Sequence, residues 1–212
     1  TVTTGFTAEE MERDQNLLRK IVNSLIRFAD YLKVETVAVV GRMPSIMIKN
    51  NIPIEPPLIA GDKGTIFSLE ESISAILKKK RVSPTQIKVG VFGVGFIGFK
   101  LLKVLKKMGF PDICGVDVRF NKSKTKIAGI TLGKSFDLLQ DRDLVILLSS
   151  KGDDIKEAIS YLKKGVIILD DTHPPISKKL LKSILEKGGS VYGCSLMLPG
   201  METIPPWPGF NK

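Results

Sequence analysis

Residues 88–98 read Lys-Val-Gly-Val-Phe-Gly-Val-Gly-Phe-Ile-Gly, an apolar run that passes directly into Gly-x-Gly-x-x-Gly. The following residues alternate in helical period. Ile97, Leu101, Val104, Leu105 and Met108 fall on one face and Lys100, Lys103, Lys106 and Lys107 on the other, before Gly109 and Pro111 end the helix. Few folds accept a strand, three glycines and an amphipathic helix in this order. Gly93 lets the chain turn tightly off the strand, Gly95 lets backbone approach a ligand, and Gly98 lets the helix pack close. Free amides at the helix start then suit an anion.

A second apolar run, Ile113 to Val116, ends at Asp117, which follows Gly98 by 19 residues. An acid near this spacing is placed to bind a ribose hydroxyl pair, so strand, glycines, helix, strand and acid together predict a dinucleotide site. The plain alternative is a Gly-rich βα turn that binds nothing. Gly93, Val94, Gly95, Phe96, Ile97, Gly98, Asp117, Val118 and Arg119 are the expected cofactor-binding residues. Asp117 suits the free diol of NAD, whereas Arg119 with Lys122 and Lys124 suits the 2′-phosphate of NADP. The cofactor is therefore written NADP or NAD, with the basic loop favouring NADP.

The 212 residues allow one large domain or two small ones. No apolar run approaches the ~20 residues of a membrane span, and the start, Thr1 to Gly5, has no signal-peptide pattern. That start also lacks Met, as in a processed chain or a piece of a longer one. Cys114 and Cys194 fall in predicted strands, outside any C-x-x-C, and with one His they make no zinc set. No metal site is expected, and a reduced cytoplasmic protein with two buried thiols is the simplest reading. The net charge of +10 attracts phosphates, an acidic carrier or nucleic acid. Its lysines fall mostly on helix faces and last turns, and no aromatics interleave the basic runs, so nucleic acid is not expected.

Thr7 to Glu10 reads as a capping box, and the helix behind it carries a core stripe at Leu17, Ile21, Leu25, Phe28 and Leu32, with Leu18, Val22 and Ala29 beside it. A strand at 36–40, a turn into an apolar piece at 41–48 and a Pro-rich loop at 50–57 follow. A further helix runs to about Lys80, capped by Asp62 or Ser68. Beyond Pro84, strands and helices alternate: a short strand at 127–132, a buried strand at 144–148, a helix at 153–164, a strand at 166–169, a helix after Ser177 and a last strand at 191–195. The expected architecture is α/β, a Rossmann-type parallel sheet with helices on both faces plus a smaller N-terminal α/β substrate-side domain. Its expected domains are 1–83, 84–198 and a Pro-rich tail at 199–212. Such sheets bind ligands at the carboxyl ends of their strands, which adds Ser149, Ser150 and the Asp170 to His173 turn to the candidates.

Four further stretches carry a family resemblance. Gly41-Arg42-Met43-Pro44-Ser45-Ile46 is similar to a Gly-x-x-Ser-Ser-Ile turn, and Gly61-Asp62-Lys63-Gly64-Thr65 to a Gly-Asn-x-x-Thr helix start. Ser149-Ser150-Lys151-Gly152 resembles a small Ser/Gly loop beside a nicotinamide. Gly193 to Gly200 resembles a Gly-Gly-x-Val strand with its following Pro-Gly. From about Leu17 to Gly200 the chain resembles the aldehyde-forming long-chain acyl-[acyl-carrier-protein] reductases, and more broadly the shikimate-dehydrogenase-like and glutamyl-tRNA-reductase-like proteins. The resemblance implies an NAD(P)-dependent oxidoreductase reducing a carbonyl or acyl group of a small-molecule or carrier-bound acidic substrate. It places Ser45, Asp62 and Thr65 on the substrate side, and a homodimer is the assembly considered.

The chain departs from that family in two places. It ends at Lys212, before the helix that carries the family's thioester-forming Cys, and Cys194 stands at a Gly position of the motif. Reduction of a carbonyl needs one proton donor. Lys63, His173 and Cys194 are the candidates, set against an exposed turn lysine, a loop histidine and a buried strand thiol. Two other functions stay open: an S-adenosylmethionine-dependent methyltransferase, and a non-catalytic nucleotide-binding or assembly protein.

Overall fold

The structure is a computed structural model, and it describes residues 5–194. The expected tail at 199–212, the end of the last predicted strand and the resemblance at 195–200 lie outside the described residues. Contacts divide the chain between Phe67 and Ser68 into two units, inside one helix. The expected boundary at residue 84 lies further on, at a 3₁₀ turn, Pro84–Gln86.

In the first unit, α1 (Ala8–Arg13) starts at the predicted capping box, with Thr7 and Glu10 bonding reciprocally. The single helix expected behind it is broken. Asp14 leaves helical geometry and its carboxylate accepts the amides of Asn16 and Leu17, so it caps a new helix, α2 (Gln15–Leu32). The predicted stripe is met along most of the helix, with Leu17 and Leu25 packed against the core. Leu18, Ile21, Val22 and Ala29 are buried, but Phe28 and Leu32 are exposed at the end of the helix. β1 (Val37–Val39), α3 (Met43–Lys49) and β2 (Leu58–Ala60) form a parallel βαβ unit. Its core joins Leu18, Ile21 and Val22 to Ile46, Met47 and Leu58.

α4 (Asp62–Lys80) begins at Asp62, so Ser68 is a buried interior residue rather than a cap. The second unit then alternates. β3 (Lys88–Phe92), α5 (Phe96–Lys107) and β4 (Asp112–Val116) match the predicted strand–helix–strand. The polar loop and short strand expected at 121–132 are a hairpin, β5 (Thr125–Ile127) and β6 (Ile130–Gly133), turning through Ala128 and Gly129 at positive φ. β7 (Leu144–Leu147), β8 (Ile167–Asp170), α6 (Lys178–Glu186) and β9 (Ser190–Gly193) complete it. The helix expected at 153–164 is 3₁₀ over Gly152–Tyr161. Gly152 seats it, since a Cβ there would lie 2.1 Å from the Ile176 amide nitrogen.

The sheet order is β5-β6-β4-β3-β7-β8-β9, parallel throughout except for β5 at one edge. Counting parallel strands from β3, this is the 3-2-1-4-5-6 order of the Rossmann fold. Buried Val89, Val91, Cys114, Val145, Ile146 and Ile168 give the near-continuous apolar strands of a sheet covered on both faces.

Candidate functional site

The order reverses between β3 and β7, which opens a crevice at their carboxyl ends. Each fingerprint glycine meets a separate constraint there. Gly93 sits at φ +97°, and a Cβ on it would lie 2.6 Å from the carbonyl carbon of Leu148 and the nitrogen of Ser149. A Cβ on Gly98 would lie 2.2 Å from the Gly93 oxygen, so helix and turn touch through backbone. On Gly95, among the described residues other than its chain neighbours, a Cβ would meet within 4 Å only Arg119 Nη2, at 3.3 Å, so this residue faces open space where a ligand can approach. Gly95 is also the N-cap of α5. The first amides of a helix lack intrahelical acceptors and point toward such a space. The cradle therefore fits a pyrophosphate.

Asp117 directly follows β4, with little exposure. Its Oδ1 accepts the Arg119 amide at 2.9 Å and Arg119 Nε at 2.8 Å, and its Oδ2 accepts Nη2 at 2.6 Å. A further bond comes from the Val94 amide, which ties Asp117 to the glycine turn. Burial opposes ionisation of Asp117, but these hydrogen bonds and the guanidinium charge outweigh it and hold the carboxyl below its usual range. The bond from Asp117 in turn raises Arg119 against the lesser effect of burial. Arg119 itself is 70% exposed, and Val118 beside it is exposed.

After β7, Ser149 donates to the Lys151 carbonyl at 3.0 Å and Ser150 to Asp154 Oδ2 at 3.1 Å. After β8, Asp170 is spent on structure, accepting the Thr172 amide and hydroxyl and the Ile176 amide. Its neighbour Asp171 faces Cys194, which follows β9 rather than lying in it and is half-buried. Cys194 Sγ lies 3.3 Å from Ser68 Oγ and 3.6 Å from Ser72 Oγ, one turn apart on α4. Burial chiefly pushes the Cys194 thiol up, the serine hydroxyls oppose this, and the Asp171 charge adds to it. Burial likewise pushes Asp171 up to about 6, against the pull of His173. His173 is exposed. Asp171 and the two serines escaped the sequence reading as a group. The one available signal was Ser68 and Ser72 sharing a helix face.

Four expected site residues lie in the N-terminal unit: Ser45 exposed on α3, and Asp62, Lys63 and Thr65 in the first turn of α4. Lys63 is exposed and the other two are half-buried. Among the described residues no cluster of three or more metal-ligating side chains occurs, and no helix is long and apolar enough to cross a membrane.

No protein-family profile matches the sequence, and no curated protein is significantly similar to it. Solved structures do match. A malic enzyme (malate oxidoreductase) is 21% identical with a TM-score of 0.51, over 73% of this chain and 45% of that one. The NAD-dependent malic enzyme of Thermotoga maritima is 19% identical with a TM-score of 0.51, over 72% of this chain and 44% of that one. A D-isomer specific 2-hydroxyacid dehydrogenase family protein from Klebsiella pneumoniae is 14% identical with a TM-score of 0.49, over 75% and 67%. The chain thus spans less than half the length of the two malic enzymes. The likeness to the two malic enzymes shows the shared fold, a Rossmann-type α/β sheet.

Proposed function

We propose that the protein is an NAD(P)-dependent oxidoreductase that reduces a carbonyl or acyl group by hydride transfer. The observation that carries this is the turn at Gly93–Gly98. It joins the Rossmann strand order to a backbone cradle that is sterically closed beneath and open at Gly95, with Asp117 at the neighbouring strand end. Gly93 to Gly98 would hold the pyrophosphate, Asp117, Val118 and Arg119 the adenosine ribose, and Ser149 and Ser150 the nicotinamide side. The nucleotide would supply the hydride. The chain would orient it, exclude water and provide a proton.

NADP fits better than NAD. The Asp117 carboxylate already accepts four hydrogen bonds, while the Arg119 guanidinium is exposed over Gly95. An acid spent on an arginine orients that arginine toward a phosphate instead of binding the diol itself. The substrate would be a small molecule or an acidic carrier-bound acyl group, as the resemblance to acyl reductases implies. Of the residues that resemblance points to, Ser45, Asp62, Thr65 and the candidate proton donor Lys63 belong to the N-terminal unit, while the candidate donors His173 and Cys194 belong to the unit that holds the cradle.

Titration with NADPH, NADH and S-adenosylmethionine, followed by nucleotide fluorescence and melting temperature, tests the reading. A shift with either nicotinamide nucleotide supports it. A shift with S-adenosylmethionine alone, or with none of the three, overturns it.

A further inference from the structure

The carboxyl ends of β7, β8 and β9 bring together a polar group that the dinucleotide cradle does not use. The Asp171 amide donates to the Leu147 carbonyl at 3.1 Å, and the Cys194 amide donates to the Asp170 carbonyl at 2.9 Å. These bonds fix Asp171 beside the end of β7 and Cys194 beside Asp171. Two uncharged hydroxyls of helix α4, Ser68 and Ser72, lie within reach of the Cys194 sulfur, and Cys194 bonds to Asp171. The titratable groups acting on Asp171 are Asp170, His173 and Cys194. Asp170 cannot share the task, because its oxygens hold the 172–176 turn.

We propose that Asp171 is the proton-carrying residue of this protein, with Cys194, Ser68 and Ser72 as its positioning residues. The proposal rests on the oxidoreductase reading above. It adds a residue whose carboxylic acid is neutral while reduced nucleotide is bound and ionised once oxidised nucleotide remains. Three properties of the group support it. Burial leaves Asp171 protonated up to about pH 6, far closer to neutrality than an ordinary Asp. The Cys194 thiol is pushed up, which makes it a hydrogen-bond donor and not a nucleophilic thiolate. His173, which acts on Asp171, is exposed, so the group stands within reach of solvent.

The balance of the step is simple. A hydride carries its electron pair from the nucleotide to the carbonyl carbon, and the C=O π pair moves to oxygen. The Asp171 O–H bond breaks as its proton joins that oxygen, giving the alcohol and the oxidised nucleotide. The carboxylate left behind recovers a proton from solvent.

A binding experiment on the full chain tests this without a known substrate. The nicotinamide of NADP⁺ carries one positive charge that NADPH lacks. An ionised Asp171 beside it should favour NADP⁺, and a protonated one should not. The 2′-phosphate titrates identically in both nucleotides and cancels in their ratio. Between pH 5 and pH 8 the ratio Kd(NADP⁺)/Kd(NADPH) should fall on the order of fivefold or more, fivefold being the scale of two unit charges about 4 Å apart in water. The fall should centre near pH 6 and vanish in Asp171→Asn. Cys194→Ser keeps a hydrogen-bond donor beside the carboxylate and should keep the fall, whereas Cys194→Ala removes that donor and should move the fall to higher pH. Iodoacetamide adds an independent readout, since Asp171→Asn should lower the pH at which Cys194 alkylates. A flat ratio in the unaltered protein, or a fall that survives Asp171→Asn, would overturn the proposal while leaving the oxidoreductase reading intact. If neither nucleotide binds, that reading fails and takes the proposal with it.

Discussion

Replacing Arg119 by Ala should exchange one nucleotide preference for the other. In the free protein the guanidinium supplies two of the bonds that Asp117 accepts, Nε to Oδ1 at 2.8 Å and Nη2 to Oδ2 at 2.6 Å. The main-chain amides of Arg119 and Val94 supply the rest and survive the substitution. Arg119→Ala therefore vacates two acceptor positions, which match the two hydroxyl donors of an adenosine ribose. A hydrogen bond to a charged group contributes about 1.5–3 kcal/mol when well buried. This site is open on the Arg119 side, so roughly 1–2 kcal/mol for the pair is reasonable, a gain in NADH affinity of about 5- to 30-fold. NADPH loses its guanidinium partner and meets an uncompensated Asp117 carboxylate, so its affinity should fall at least tenfold. Fluorescence titration of both variants with both nucleotides, at low and moderate salt, measures the exchange. The NADPH affinity of the unaltered protein should also weaken with salt more than its NADH affinity does. An unaltered protein that prefers NADH, or an Arg119→Ala variant that loses both nucleotides in equal proportion, would refute the pairing argument.

Other substitutions probe the same framework. Gly98→Val places a side chain where even a Cβ would lie 2.2 Å from the Gly93 oxygen, so melting temperature and nucleotide binding should both fall sharply. Asp14→Ala removes the carboxylate that caps α2, which should lower stability by ~1 kcal/mol in chemical denaturation. Asp171 binds its proton more tightly when folded than when unfolded. The stability this gives is complete below about pH 4 and is lost as pH rises through about 6. Asp171→Asn removes that loss, so the variant should be more stable than the unaltered protein at pH 8, by roughly 1–2 kcal/mol, with little difference at pH 4.

Local signals made the centre of this protein legible. β3, the three glycines, α5 and β4 succeed one another without a break, and each is written in its own residues: an apolar run, positions without Cβ, a helical stripe, a second run ending in an acid. Where a local signal admitted two outcomes, packing decided. The stretch from Thr7 to Leu32 reads as one amphipathic helix, yet Asp14 offers its carboxylate to the amides of a new one. Phe28 and Leu32 fit the stripe by period but lie past the part of α2 that meets α3 and β2. Residues 153–164 carry helical periodicity, acids first and lysines last, but take the tighter 3₁₀ form behind the seated Gly152.

Asp171 marks the limit of reading in one dimension. Asp170 and Asp171 are adjacent and chemically identical, and the sequence offers no means to tell them apart. The sheet separates them because alternate residues of a strand face opposite ways. Asp170 turns to amides and a hydroxyl of its own following loop, while Asp171 turns to the Cys194 thiol, whose sulfur in turn lies against hydroxyls of a helix about 100 residues earlier. One carboxylate is thereby spent on a turn, and the other is left half-buried with a raised proton affinity.

The floor of the crevice shows the same logic in backbone atoms. Gly93 leaves β3, and residues 148–149 leave β7, at a point where the two chains approach too closely for any side chain on Gly93. Close approach here is what a parallel sheet with a reversal of strand order requires, because the two central strands must diverge to opposite faces above that point. The glycine is therefore set first by the sheet and only second by a ligand. Gly95 is different. Among the described residues other than its chain neighbours only Arg119 Nη2 comes near it, and no packing there demands its small size. A test of ligand recognition should accordingly target Gly95 in preference to Gly93 or Gly98. Gly95→Trp should abolish nucleotide binding while leaving the melting temperature of the free protein within a few degrees of the unaltered chain. A large loss of stability would show that Gly95, too, serves the fold.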